Sequence, residues 1–227
     1  MHPVITKLQH GLIVSCQADP GDPLYGVSHM VAMARAALVG GAVGIRANYP
    51  QDVAGIKEAI PLPLIGIYKK RYPGSDVYIT PTLAEVRAIA AAGADILAVQ
   101  LTHQARPDGL TNAEFLAAIR REFPSLLIMA DISTLEEGLV AADLGADLVS
   151  TTMSGYTPYS AHLKGPDLGL VRELAARLTT PLVAEGRYST PEECRMALEA
   201  GAHAVVVGTA ITRPQTVTAW FVDGMRG

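Results

Sequence analysis

Five apolar runs in this chain end on a residue that can carry charge or donate a hydrogen bond. Pro63-Leu64-Ile65-Gly66-Ile67-Tyr68 ends on Lys69, the run from Leu12 reaches Gln17, and the run from Gly41 reaches Arg46. Leu126-Leu127-Ile128-Met129-Ala130 reaches Asp131, and Pro181-Leu182-Val183-Ala184 reaches Glu185. A buried parallel strand reads as an unbroken apolar run, so an ammonium at its last position must either reach water or occupy a polar cavity. In a cavity, Lys69 has two chemistries open to it. Brought down from its ordinary value near ~10.4, it is a proton-transfer base; facing a carbonyl, it can form a Schiff base. A buried glutamate such as Glu185 can exchange protons with a hydroxyl.

Two later stretches suit an anion. Glu185 continues as Gly186-Arg187, and the eighth apolar run continues as Gly208-Thr209-Ala210-Ile211-Thr212-Arg213. Glycine lets main-chain N–H groups approach phosphate oxygens closely, and an arginine adds a charge-assisted hydrogen bond. Arg187 and Arg213 also have a bland reading as surface residues. Glycine at both strand ends favours the phosphate reading, because the loops after strands seven and eight are where closed parallel barrels hold phosphate.

Eight strand and helix alternations supply the frame. The strand runs end at Gln17, Arg46 and Lys69, then span 94–101, end at Asp131, span 147–153, end at Glu185 and span 204–207. Helical patterns follow at 28–38, 51–60, 83–92, 112–123, 135–144, 168–178, 191–200 and from about 215, after a short polar lead. This order predicts a single (β/α)8 TIM barrel with a closed parallel sheet over residues 1–227, close to the ~250 residues usual for one. Gly41, Gly93, Gly145 and Gly201 recur as helix stops before strands, a conformational role with no chemistry. The connection from Lys69 to Leu83 is long and reads as a binding loop.

Composition narrows the functions. With 49% hydrophobic and 18% charged residues and a formal charge of −4, the chain offers no basic surface for nucleic acid. No apolar run is long enough to span a membrane and no signal peptide is read, so a cytoplasmic setting is expected. Cys16 reads as core filler, and no His, Cys and carboxylate set has metal-site spacing. His29 reads as a packing or surface residue, His103 at the mouth after strand four as a substrate contact or, more commonly for a loop histidine, a solvated residue, and His162 lies in a polar, Tyr-bearing segment, 155–164, that could cover the site. Trp220 and Phe221 read equally as barrel packing or as a dimer contact.

Taken together, Ile13–Ala18, Gly40–Asn48, Ile65–Lys69, Met129–Asp131, Thr151–Thr157, Ala184–Arg187 and Gly208–Pro214 resemble the N-acetylmannosamine-6-phosphate 2-epimerases over nearly the whole chain. The resemblance implies a cofactor-free, cytoplasmic, usually dimeric isomerase of sialic acid and amino-sugar catabolism. It also implies that Lys69 moves the proton at C2, that Glu185 assists at the sugar hydroxyls, and that Gln17, Arg46, Asp131 and Arg213 contact substrate. Loops such as those at Gly186, Arg187, Gly208 and Thr209 would hold the phosphate. Rival readings are a Schiff-base aldolase acting through Lys69 and a sugar-phosphate-binding barrel without turnover. Two departures stand out: Gln100 occupies a strand-four position often acidic in the family, and Lys70-Arg71-Tyr72 replaces Arg-Asp-Tyr. Both remove a carboxylate near the mouth, which bears on substrate orientation and on the charge of Lys69.

Overall fold

Period-two alternation sorts the strands of the barrel. Strands β1 (Leu12–Cys16), β2 (Gly44–Asn48), β3 (Leu64–Ile67), β4 (Ile96–Gln100), β5 (Leu127–Asp131), β6 (Leu148–Ser150), β7 (Leu182–Glu185) and β8 (Ala204–Val207) pair in parallel in sequence order, and β8 returns to β1. The computed structural model describes residues 1–160 and 162–226. One set of side chains, including Ile13, Ile65, Ile67, Ile96, Met129 and Val183, fills the barrel interior. The alternate set, including Val14, Ile45, Leu64, Leu97, Ile128 and Ala184, packs outward against the helices. This closed, interior-filled sheet is the expected (β/α)8 architecture.

Helices α2 (Val27–Val39), α3 (Pro50–Ala59), α4 (Leu83–Ala91), α5 (Asn112–Glu122), α6 (Leu135–Asp143), α7 (Leu168–Ala175) and α8 (Pro191–Glu199) follow β1 to β7 in turn. Four of them start on Thr-x-x-Glu capping boxes, at Thr82, Thr111, Thr134 and Thr190, each satisfying two otherwise orphaned N–H groups. Gly93 and Gly145 leave their helices at φ 86° and 87°, a conformation that L side chains resist.

Two features differ from the sequence reading. The polar lead is a helix, α1 (Pro3–Leu8), whose buried Ile5 and Leu8 join the interior cluster and close the amino-terminal end of the barrel. Gly44 makes room for it, since a Cβ there would stand 2.6 Å from Leu8 Cδ2. The lead lacks a long apolar period because only two of its side chains need burial. After β8, a short helix α9 (Thr209–Thr212) precedes α10 (Pro214–Gly224), which has no buried residue. The barrel-packing reading of Trp220 and Phe221 therefore fails, and these side chains are 47% and 71% exposed. Cys16 is fully buried as expected, and burial pushes its thiol up to about 12.

Candidate active site

The same alternation aims the polar strand ends at one mouth. Arg46 follows Gly44 on the inward face, Asp131 follows Met129, Glu185 follows Val183 and Ser15 follows Ile13. Lys69 continues the Ile65, Ile67 face two residues beyond β3. It is fixed there by an antiparallel bridge to Ile79 and by its own N–H, which donates to Asn48 Oδ1 at 2.9 Å. Lys70 N–H donates to Tyr78 O and Thr80 N–H to Tyr68 O, so the long β3–α4 connection doubles back as a narrow ribbon. That ribbon is what brings Tyr78 over the site.

Arg46 organises the charges. Its Nη1 and Nη2 donate to Asp131 Oδ1 and Oδ2 at 3.0 and 2.6 Å, and Nη1 lies 3.0 Å from Glu185 Oε2. The arginine and the aspartate are 1% and 0% exposed, and Glu185 is 13% exposed. Burial opposes the Arg46 charge, but Asp131 and Glu185 hold its pKa above the ordinary arginine value. Burial, joined by the Asp131 charge, raises Glu185 against the opposing pull of Arg46, Thr152 and Lys69. Lys69 is lowered by burial first, helped by Arg46 and Arg213 and resisted by Asp19 and Glu185. Cations and carboxylates thus pull the lysine in opposite directions, and burial decides between them.

A cavity of about 590 Å³ opens at this mouth, lined by Gln17, Arg46, Lys69, Glu185, Gly186, Arg187, Gly208, Thr209 and Arg213 among others. Asp131, expected to touch substrate, is fully buried at the same mouth and bonds Arg46 and Thr152. Gln17 donates from Nε2 to Ser15 Oγ at 2.7 Å, and its buried Oε1 has no partner among the described residues. Arg213 pairs with Asp19 at 3.4 Å and Asp22 at 3.7 Å of the β1–α2 loop. Arg187 donates to the carbonyls of Ser154 and Gly165 and so staples both ends of the β6–α7 loop, while its side chain still borders the cavity. Residue 161 of the 155–164 segment lies outside the described residues. Gly186, at φ 112°, makes the turn that brings this main chain to the mouth. His103 and His162 are exposed and do not line the cavity.

Sequence reasoning singles out none of Ser15, Tyr78, Thr152, Tyr156, Lys164 and Trp220 as site residues, although 155–164 reads as a segment that could cover the site; all six line the same cavity. Ser15 was recoverable from strand alternation. The others sit on loops, in a 3-10 turn and on α10, where no strand period fixes direction.

A family profile described as "Putative N-acetylmannosamine-6-phosphate epimerase" matches residues 30–227. The chain belongs to the N-acetylmannosamine-6-phosphate 2-epimerase family. A family member from Caldanaerobacter subterraneus subsp. tengcongensis is 55% identical over 219 residues, 96% of this chain and 92% of that protein. One from Shouchella clausii is 48% identical over 228 residues, covering both chains completely. The solved structure of the N-acetylmannosamine-6-phosphate 2-epimerase from Clostridium perfringens superposes with a TM-score of 0.94 at 45% identity, covering 98% of this chain and 96% of that one.

The two departures from the epimerase pattern now have local explanations. Gln100 is fully buried, and its Oε1 accepts from the N–H groups of Tyr78 and Ile79 at 3.0 and 3.4 Å. Its Nε2 donates to Thr102 and Gln104. An amide does here what a carboxylate could, holding the ribbon, and adds donors for the β4–α5 loop. Lys70 pairs with Glu85 at 3.1 Å, and the Arg71 guanidinium sits 4.8 Å from the Tyr78 ring centre. Both cations serve the ribbon, so neither needs the missing carboxylate.

Proposed function

We propose that Lys69 and Glu185 interconvert N-acetylmannosamine 6-phosphate and N-acetylglucosamine 6-phosphate by removal and return of the C2 proton. This is the epimerase activity of the family, set within sialic acid and amino-sugar catabolism. Inversion at C2 requires an acidic C–H beside a carbonyl, so the sugar reacts as its open-chain aldehyde. Lys69 takes the proton. Gln17 and Arg46 supply donors to the enolate as charge develops, and Glu185 exchanges a proton with a substrate hydroxyl. Gly186, Arg187, Gly208 and Thr209, with Arg213 beside them, hold the phosphate at the other side of the cavity.

The observation that carries this reading is the lysine lowered by burial beside an arginine that keeps two carboxylates to itself. Such a lysine can be neutral enough to act as a base near neutral pH. Proton NMR of the protein with N-acetylmannosamine 6-phosphate in deuterated water tests it, with Lys69→Ala alongside. The gluco epimer carrying deuterium at C2 is expected from the wild type and not from the variant. An unlabelled, unchanged sugar refutes the assignment, and a borohydride-trapped adduct on Lys69 would replace proton transfer with Schiff-base chemistry.

The working form we propose is a cytoplasmic homodimer. Phe221 and Val222 on α10 and Met225 just past it leave an exposed apolar face. A groove of about 520 Å³ lined by Leu12, Cys194, Leu198, Val205 and Ile211 lies nearby. Surfaces of this kind are those a second copy covers. Light scattering should give twice the monomer mass, and Phe221→Glu should halve it; a monomeric wild type would refute the dimer. Among the described residues no helix is long and apolar enough to cross a membrane.

A further inference from the structure

The Thr152 hydroxyl, in the 3-10 turn after β6, has three oxygen neighbours. Ser150 Oγ lies at 2.8 Å, Asp131 Oδ1 at 2.7 Å and Glu185 Oε2 at 3.1 Å. A hydroxyl has one proton to donate and two lone pairs to accept with. Ser150 and Thr152 together bring two protons to these three contacts. Filling all three therefore needs one more proton, and only a carboxyl group can supply it. Asp131 is the poorer host, because Arg46 already donates to both of its oxygens. Arg46 Nη1 reaches Glu185 as an ion-pair contact at 3.0 Å but directs its hydrogen bond to Asp131.

We propose that Thr152 is a positioning residue that holds Glu185 as a neutral acid in the substrate-free site. Thr152 accepts the Glu185 O–H and the Ser150 O–H, and donates its own proton to Asp131. The inference rests on the reading of Glu185 as the group that exchanges a proton with a substrate hydroxyl. When Glu185 gives that proton to a substrate oxygen, its O–H bond breaks, the new O–H forms on the sugar, and the electron pair stays on the carboxylate. The Thr152 O–H then turns from Asp131 to the new anion by rotation alone. Asp131 keeps both Arg46 donors throughout.

The charged groups that face Glu185 are Arg46 from β2, Lys69 beyond β3 and Asp131 from β5. Tyr78, Tyr156, Lys164, Arg187 and Arg213 line the same cavity. Burial and Asp131 favour the neutral acid, while Arg46, Lys69 and a Thr152 hydroxyl that donates to Glu185 favour the anion. The single Thr152 proton cannot serve Asp131 and Glu185 at once, and the proton count gives it to Asp131. With Thr152 present, the neutral cluster makes one hydrogen bond more than the ionised one. Without the hydroxyl, that advantage is gone.

The test is a carbon-13 NMR titration of substrate-free protein labelled at the glutamate side-chain carboxyls, with the Glu185 signal assigned by its absence from Glu185→Gln. Thr152→Val should lower the Glu185 midpoint by about 1 pH unit, the worth of one hydrogen bond. Thr152→Ser should titrate like the wild type, and Thr152→Ala serves if the valine variant does not fold. The corresponding limb of the kcat/KM pH profile should move in the same direction. A midpoint that rises means that Thr152 donates to an ionised Glu185, and an unmoved midpoint means a merely structural contact; either overturns the proposal. The titration needs no turnover, so the two readings fail separately. Full epimerisation by Glu185→Gln would remove Glu185 from the chemistry, while the midpoint shift would still decide the role of Thr152.

Discussion

Asp131→Asn is the most informative single change, because it alters one charge and almost no volume at the centre of the site. The aspartate is fully buried and takes two hydrogen bonds from Arg46, which is itself 1% exposed. An asparagine retains one acceptor and turns an N–H pair toward the guanidinium, donor against donor. Removing one partner of a buried ion pair usually costs about 3–5 kcal/mol, because the other charge is left uncompensated. Here Glu185 lies 3.0 Å from Arg46 Nη1 and can ionise once Asp131 is neutralised, which places the cost at the low end, about 3 kcal/mol. For a chain of this length that corresponds to a fall in Tm of about 6–12 °C. Scanning calorimetry and urea unfolding measure it, with the urea midpoint lowered and the m-value unchanged. A double-mutant cycle with Arg46→Met should be strongly non-additive, since each single change strands the charges the other would remove. A Tm loss below about 2 °C or an additive cycle would refute the reasoning.

Three further outcomes follow from the same geometry. Lys69→Met should cut turnover by about 10²–10⁴-fold, as loss of an acid-base group does. It should leave Tm equal or higher, because a lysine whose folded pKa is depressed by burial costs stability wherever it is still protonated; a large fall in Tm would count against that account. Asp52 is 2% exposed, its Oδ2 has no partner among the described residues, and burial raises its pKa from 3.8 to about 6. A raised folded pKa gives stability that is present below the unfolded value and lost as pH climbs through the folded one. Asp52→Asn should therefore gain about 1–2 kcal/mol over wild type at pH 7.5, after the cost of burying an amide, and nothing below pH 4. Urea titrations at both pH values should differ; equal gains at both would sink the assignment. For Gly186→Ala, space is not the obstacle, since the nearest atom to an added Cβ is 3.8 Å away, but φ 112° is. The strain is about 1–2 kcal/mol, and KM for the sugar phosphate should rise more than kcat falls.

What was legible in the sequence is what a one-dimensional period can carry. Ile65, Ile67 and Lys69 share a face because strands alternate, and the same rule placed Arg46, Asp131 and Glu185 at the mouth. The rule says which side chains enter the barrel, not which of them meet. Arg46 and Asp131 are 85 residues apart, and Thr152 and Glu185 are 33 apart. Only closure of the sheet brings them together. The bond between Asp131 and Arg46 was accordingly not foreseen, and Trp220 was left undecided because α10 has no buried stripe to orient it. Pairing also explains what charge counting could not. Two carboxylates and two cations at one mouth suggest two ion pairs, which would hold Lys69 protonated. In the folded chain Arg46 binds Asp131 and lies against the Glu185 carboxyl, and among the described residues no carboxylate lies within ion-pair distance of Lys69. The basicity of the site therefore depends on a contact that Lys69 does not make.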